Sequence, residues 1–436
     1  MLEKKYNKRL YLLWTISAMC ILLGVVTTSY LATIPVLLFL YVLFFLEIDT
    51  AMMLLFALMP FANVFKLTPS STSLFTICEL ILVGYLAIKR GIKKPLFCTV
   101  LVMAAYYCAF SVQNLQILTI LKAVIMFFLV YDYCQGANKE DVVLISRLLA
   151  ISMIVMLLLS INEKYFSSVV PYLNDLDYLI DTTGHATTTI RSSGFLGDPN
   201  YCSAMILMTQ ALLCVLYYYK SIGNEFWVYT CFLVPLGLFT YSKSYILCIS
   251  VLCVTLFLFV LLPKHRVWAA VALVAMIAVV YFILQGKIPL VQTILERFTH
   301  GSLLTGRSQL NDDYLAYIFN DVRSLFFGSG VTTDRFIGAR NNVHNIYIEL
   351  LFKLGIVGTI LYIVTLLSAF GVRYIYKNIV HLPVINWLPL LFFLVVFAFL
   401  AGVTNYALPF YFCIIYFGLR FHELPHTNRL MEDEYD

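Results

Sequence analysis

Arg191, Lys243, Arg307 and His344 are three cations and one imidazole, and each stands at the mouth of a long apolar segment. Guanidinium and ammonium groups suit an anionic substrate, and imidazole can take a proton from a hydroxyl near neutral pH. That pairing points to chemistry on an anionic lipid-linked substrate at a membrane surface.

The surroundings of each residue carry local signals. Arg191-Ser192-Ser193-Gly194-Phe195-Leu196-Gly197-Asp198-Pro199-Asn200 runs directly into an apolar stretch. Asp198 is a helix-capping type and Pro199 suits a first helical turn, where its missing N–H has no partner to lose. A glycine turn plus a cap therefore explains Asp198 and Pro199 but leaves Arg191 without a structural reason. Lys243 ends Thr240-Tyr241-Ser242-Lys243, and Arg307 follows Gly306. His344 lies in Asn341-Asn342-Val343-His344-Asn345-Ile346-Tyr347-Ile348-Glu349. A lone histidine beside a helix start is more often a cap or an interfacial residue; its company raises this one. Glu349 and Lys353 stand i,i+4 in the order that favours an ion pair, which we read as structural support for the helix bearing His344.

The elements that position these groups must cross a membrane. The chain of 436 residues is 61% hydrophobic and 12% charged, with 34 Phe and 30 Tyr, and its mean hydropathy is +0.88. Apolar runs of about 16 to 22 residues recur along the whole length, beyond what a soluble core of this size needs. The first, Leu10 to Tyr30, follows Lys4, Lys5, Lys8 and Arg9, and a second run starts at once without a convincing cleavage site. It reads as an uncleaved span rather than a secretory signal. The expected fold is all-α: one integral membrane domain over 1–436, a polytopic helical bundle of about 12–14 spans.

Orientation follows from basic connections, which stay on the cytoplasmic side. With the N-terminus inside, Lys89, Arg90, Lys93, Lys94, Lys139, Lys220, Lys264, Arg266, Arg373, Lys377 and Arg420 all fall inside. Both termini are then cytoplasmic. The short span after Ala51, beside Glu47 and Asp49, is the weakest element of this scheme, since losing it would invert every later side.

Two long connections, 162–199 and 285–343, fall outside. Loops of that length in a compact bundle are usually functional. Within the second, Leu310, Tyr314, Ile318, Val322, Leu325 and Phe326 recur at helical spacing, so an amphipathic helix over 308–326 should cap the bundle or lie in the interface, ending at Gly328 and Gly330. Asp198, Lys243 and Asn345 each stand where a helix runs inward from the outer face. Three positive helix ends then point outward, ready for phosphate.

Net charge of +5 implies no nucleic acid partner. All eleven cysteines lie in or beside apolar segments, so disulfides are not the framework. Lys122, inside the sixth span, is a weaker candidate for substrate contact and could equally pair with a neighbour. Asp175-Leu176-Asp177, with His185 in the same loop, offers a rival metal site of the paired-acid kind, but short matches of this sort are common and hard cations want further oxygen ligands. No metal and no cofactor is assigned.

Taken in order and spacing, Arg191 through Asn200, Thr240 to Lys243, Gly306-Arg307, and His344 to Glu349 followed by Gly355 resemble the O-antigen ligase and polymerase superfamily. The resemblance covers roughly Arg191 to Gly358; the earlier spans fit only as hydropathy. Lys243 departs from the arginine common there, and a lysine acts as a point charge rather than a bidentate partner. The resemblance implies a metal-independent glycosyltransferase in the bacterial cytoplasmic membrane with an extracytoplasmic active site. Its donor would be an undecaprenyl-pyrophosphate-linked oligosaccharide and its acceptor a glycan hydroxyl, with inversion at the anomeric carbon. Arg191, Arg307 and Lys243 would face the pyrophosphate and His344 would be the base. Asp198, Asn200, Asn345 and Glu349 would support them. A flippase and a chain-length regulator are further candidate partners alongside the bilayer itself.

Within that superfamily the motifs suit a repeat-unit polymerase of O-antigen, capsule or exopolysaccharide, the favoured reading, or a ligase that moves the finished chain to lipid A core. A transporter of lipid-linked saccharide is the reading from a different class. Transporters tend to place broken helices and polar groups near the midplane in related halves. Here the polar groups gather at outer mouths of the second half.

Overall fold

Backbone N–H and C=O groups in lipid must be satisfied within their own segment, so the apolar runs become helices. The computed structural model describes residues 2–27, 30–64, 73–111, 116–160, 194–196, 198–257, 307–337, 339, 342–371, 382–400 and 402–426. Among these residues there are fifteen α-helices and no strand. They are α1 Leu2–Thr27, α2 Ile34–Phe45, α3 Ile48–Leu58, α4 Leu74–Lys89, α5 Lys94–Phe110, α6 Ile117–Gly136 and α7 Lys139–Ser160. Then follow α8 Pro199–Tyr218, α9 Glu225–Leu238, α10 Lys243–Leu256, α11 Arg307–Asn320, α12 Val322–Phe327, α13 Ile346–Phe370, α14 Leu388–Phe397 and α15 Leu408–Arg420. Four of them, α6, α7, α8 and α13, are long and apolar enough to cross a membrane unaided. The fold is the expected helical bundle.

The centre is built from helices covered on every side. Every residue from Leu408 to Gly418 in α15 is buried, as is all of α8 from Cys202 to Leu216. The short span beside Glu47 and Asp49 belongs here too: Thr50 to Leu58 of α3 are all buried. Its eleven residues suffice because neighbouring helices, rather than lipid, surround it. Lipid-type exposure falls instead on helices such as α13, where Ile360 and Ile363 stand open.

Helix ends that the charge pattern assigns to one side meet one another. At one end of the bundle Arg90 bridges Asp49 at 2.5 Å and Asp132 at 3.0 Å. There the Lys139 N–H donates to the Pro425 carbonyl, and His426 lies 2.9 Å from Glu140. At the opposite end Phe61 packs on Phe195, Tyr106 reaches the cap, and Tyr201 approaches Gly402.

The cap differs from the single helix read over 308–326. Asp321 interrupts it: the carboxylate accepts the N–H groups of Arg323 and Ser324 and so starts a second helix, α12. The break also turns the face. Tyr314 and Ile318 are buried as the periodicity predicts, but Val322 and Phe326 stand exposed and Ser324 takes the inward position. A side chain competing for backbone N–H groups has overridden the hydrophobic period. Residues 161–193 and 258–306 lie outside the described residues, and with them most of the first long connection and the start of the second.

The cap is fastened to α13 through backbone. At Gly355 the helix adopts φ 61° and ψ −173°, which frees carbonyls from the helical ladder. Ser329 N–H donates to the Phe352 carbonyl at 2.8 Å and Gly330 N–H to that of Lys353 at 2.9 Å. The Tyr106 hydroxyl stands 2.6 Å from the Leu354 carbonyl. Only glycine permits this approach, since a Cβ on Gly355 would meet the Phe326 and Phe327 backbone at 2.5 Å.

Candidate active site

Three helix starts converge at the end that holds the cap. In α8 the Asp198 carboxylate accepts the Asn200 N–H at 2.6 Å, and Pro199 occupies the first turn. In α13 the Asn345 side chain accepts from the N–H groups of Tyr347 and Ile348 at 3.0 and 3.3 Å. Both caps arise from short side chains that satisfy orphan N–H groups. In α10 the capping position is Ser242, but its hydroxyl turns away to Asn200 Oδ1 at 3.1 Å. That bond ties the Arg191 to Asn200 motif to the Lys243 motif. Ahead of it Tyr241 is held at φ 49°, a left-handed conformation that a bulky side chain rarely adopts.

Glu349 joins the third start to the rest. One carboxylate oxygen pairs with Lys353 at 3.0 Å, so the expected i,i+4 ion pair forms, with both side chains almost fully buried. The other accepts the N–H groups of Gly402 and Val403 on the segment before α15. Lys353 also reaches Asp334 of the cap at 3.6 Å. One buried pair therefore fixes α13, the cap and the segment 402–407 together.

His344 and Asn345 are half-buried, as are Asp198, Asn200 and Lys243, whereas Glu349 is buried. Lys243 is the first residue of α10 and Arg307 the first of α11. Arg191 and the side chain of Arg307 lie outside the described residues, as do Asp175, Asp177 and His185. The structure thus brings together the starts that carry Asp198, Asn200, Lys243 and, through Glu349, His344. Lys122 does have an acidic neighbour, the buried Glu79 of α4.

Tyr314 in the cap approaches from above. Its hydroxyl bonds to the backbone of Val343, and burial pushes its phenol up to about 12. With Ile318, Val343, Ile348 and Phe352 it forms a small core separate from the main one.

Ser242, Tyr201, Gly402 and Asn405 also stand at this end, outside the residues singled out by type and spacing. Ser242 and Tyr201 lie within or beside the quoted motifs. Gly402 and Asn405 belong to Gly402-Val403-Thr404-Asn405-Tyr406, a polar interruption between two apolar runs that the charge pattern itself places at the outer end.

Chemically, such an end offers an anion the start of α10, which has no side-chain cap, with Lys243 in its first turn, and it places an imidazole five residues before a fixed carboxylate. Fold and site together define a helical membrane protein with a half-open polar end. Residues 228–363 match the family model described as O-antigen ligase, which supports the resemblance to the O-antigen ligase and polymerase superfamily. The match contains Lys243, Arg307, His344, Asn345 and Glu349. No curated protein and no solved structure matches the chain.

Proposed function

We propose that the chain is a polysaccharide repeat-unit polymerase. It transfers glycan from a polyprenyl pyrophosphate carrier to an acceptor glycan hydroxyl at the outer face of the cytoplasmic membrane. The observation that carries this reading is the convergence of the α8, α10 and α13 starts, linked by Asn200 to Ser242 at 3.1 Å and by the Glu349 clamp.

In the reaction the acceptor oxygen attacks the anomeric carbon and its proton passes to the His344 imidazole. The carbon–oxygen bond to the pyrophosphate breaks, and negative charge grows on the leaving group. Preorganised cations and helix N–H groups lower the barrier because they act where that charge develops. Arg191 and Arg307 take the pyrophosphate, Lys243 adds a point charge, and the direct displacement inverts the anomeric centre.

Polymer length in cells tests the assignment. His344→Ala and Arg307→Ala, each at normal protein level, should abolish long polymer; undiminished chains would remove it. The family description itself favours a second reading, ligation of a finished chain to a terminal acceptor. Deleting the gene separates the two: single repeat units at the surface support polymerase, and long chains stranded on the carrier support ligase.

A further inference from the structure

The segment Gly402–Tyr406 is absent from every motif considered above, yet it is held in place by a buried carboxylate and lies against the start of α8. Glu349, 5% exposed, accepts the Gly402 and Val403 N–H groups. Gly402 has φ 148°, and a Cβ there would stand 3.5 Å from the Tyr201 hydroxyl oxygen and 3.1 Å from Asn405 Cβ. Asn405 Oδ1 is engaged by the Ala407 N–H at 2.8 Å, and its side chain hydrogen-bonds Tyr201. With Oδ1 taken by backbone, the amide nitrogen donates to the Tyr201 oxygen.

We infer that Tyr201 and Asn405 form a saccharide-binding wall of the site, with Glu349 as the positioning residue that holds it; this rests on the glycan-transfer reading. Three observations support it. Thr404, Asn405 and Tyr201 are all half-open at an end where the surrounding apolar residues are buried. Tyrosine offers a ring face and a hydroxyl proton, and the Asn405 amide has a second N–H beyond the one given to Tyr201, groups that suit apolar sugar faces and sugar hydroxyls. Finally, Glu349 lies in the first turn of α13, and His344 directly precedes the Asn345 cap of that helix, so the wall and the imidazole are held at the same helix start.

The wall makes contacts independent of the pyrophosphate, so it recognises sugar in the absence of lipid. The probe is the oligosaccharide released by mild acid from the lipid-linked material of a strain deleted for this gene. Its affinity is measured for the full-length protein in detergent, in a His344→Ala background that prevents turnover. Adding Asn405→Ala or Tyr201→Phe should weaken binding about tenfold, the loss of one or two hydrogen bonds to sugar, while the protein stays folded with only a small fall in melting temperature from the internal bonds lost. Glu349→Gln keeps an oxygen for Gly402 and Val403 and should retain binding where Glu349→Ala loses it, although both melt earlier. Equal affinity in the Asn405→Ala and Tyr201→Phe variants, or no binding by the parent, overturns the wall. Equal affinity alongside normal transfer by the unmutated protein would do so while leaving the polymerase reading intact. Weakened binding in a protein that transfers nothing would remove the polymerase reading and leave the wall standing.

Discussion

Tyr314 of the cap bonds through its hydroxyl to the backbone of Val343, the residue immediately before His344. The fully buried ring is packed edge-on against Phe352 with centroids 4.9 Å apart, so the bond is made from a side chain with no room to move. The cap is thereby a support for the imidazole as well as a cover. Tyr314→Phe keeps the packing and removes the bond, which should lower stability by about 1 kcal/mol. Transfer should fall further than that stability loss explains, because the segment before His344 is released. Melting temperature and polymer yield from the same preparation decide it, and a loss in melting alone would confine Tyr314 to packing.

The Glu349–Lys353 pair is nearly closed to solvent, so removing either partner strands a buried charge. Lys353→Met should destabilise the protein by about 3–5 kcal/mol. Replacing both, with Glu349→Gln beside Lys353→Met, should recover part of that loss, since an amide oxygen still accepts from Gly402 and Val403. A double-mutant cycle on thermal unfolding in detergent measures the coupling; additive losses would show that the two side chains act separately.

What the sequence made legible was local. The cap at Asp198 and the pair four residues apart involve side chains and backbone within one turn, where residue type alone dictates geometry. The break at Asp321 was also local and was passed over. Asp321 with Ser324 three residues on is a capping pattern, but hydrophobic spacing on both sides of it suggested one continuous helix. The bond from Glu349 to Gly402 spans 53 residues and depends on how α13 and α15 pack, which no periodicity records. Gly355 gave an ambiguous signal, because a glycine in an apolar run is tolerated in a straight helix and required in a broken one.

That ambiguity is resolved by geometry, and substitution tests it. Gly355 holds a φ/ψ pair open essentially to glycine alone, and a Cβ there would strike backbone at 2.5 Å. Gly355→Ala should therefore displace the cap and greatly reduce folded protein. The same holds for Gly328→Ala, whose Cβ would meet the Lys353 carbonyl at 2.5 Å. Gly84→Ala is the control, in α4, where an added Cβ meets nothing within 4 Å. Fluorescence-detected size exclusion of the three variants should show loss for the first two and a wild-type profile for the third.

Asp321 gives the cap a pH-sensitive fastening. The Ser324 hydroxyl and N–H, with the Arg323 N–H, hold its carboxyl below the ordinary value of 3.8. A depressed folded-state value means that the carboxylate stabilises the start of α12 above pH 3.8 and that this contribution is lost as pH falls through the lower, folded value. Asp321→Ala should therefore speed proteolysis of the 307–343 segment at neutral pH, and the gap between variant and parent should close under more acidic conditions. Limited digestion with an acid-tolerant protease across that range provides the measurement. A gap of constant size down to the acid end would mean that Asp321 acts through the shape of the turn and not through its charge.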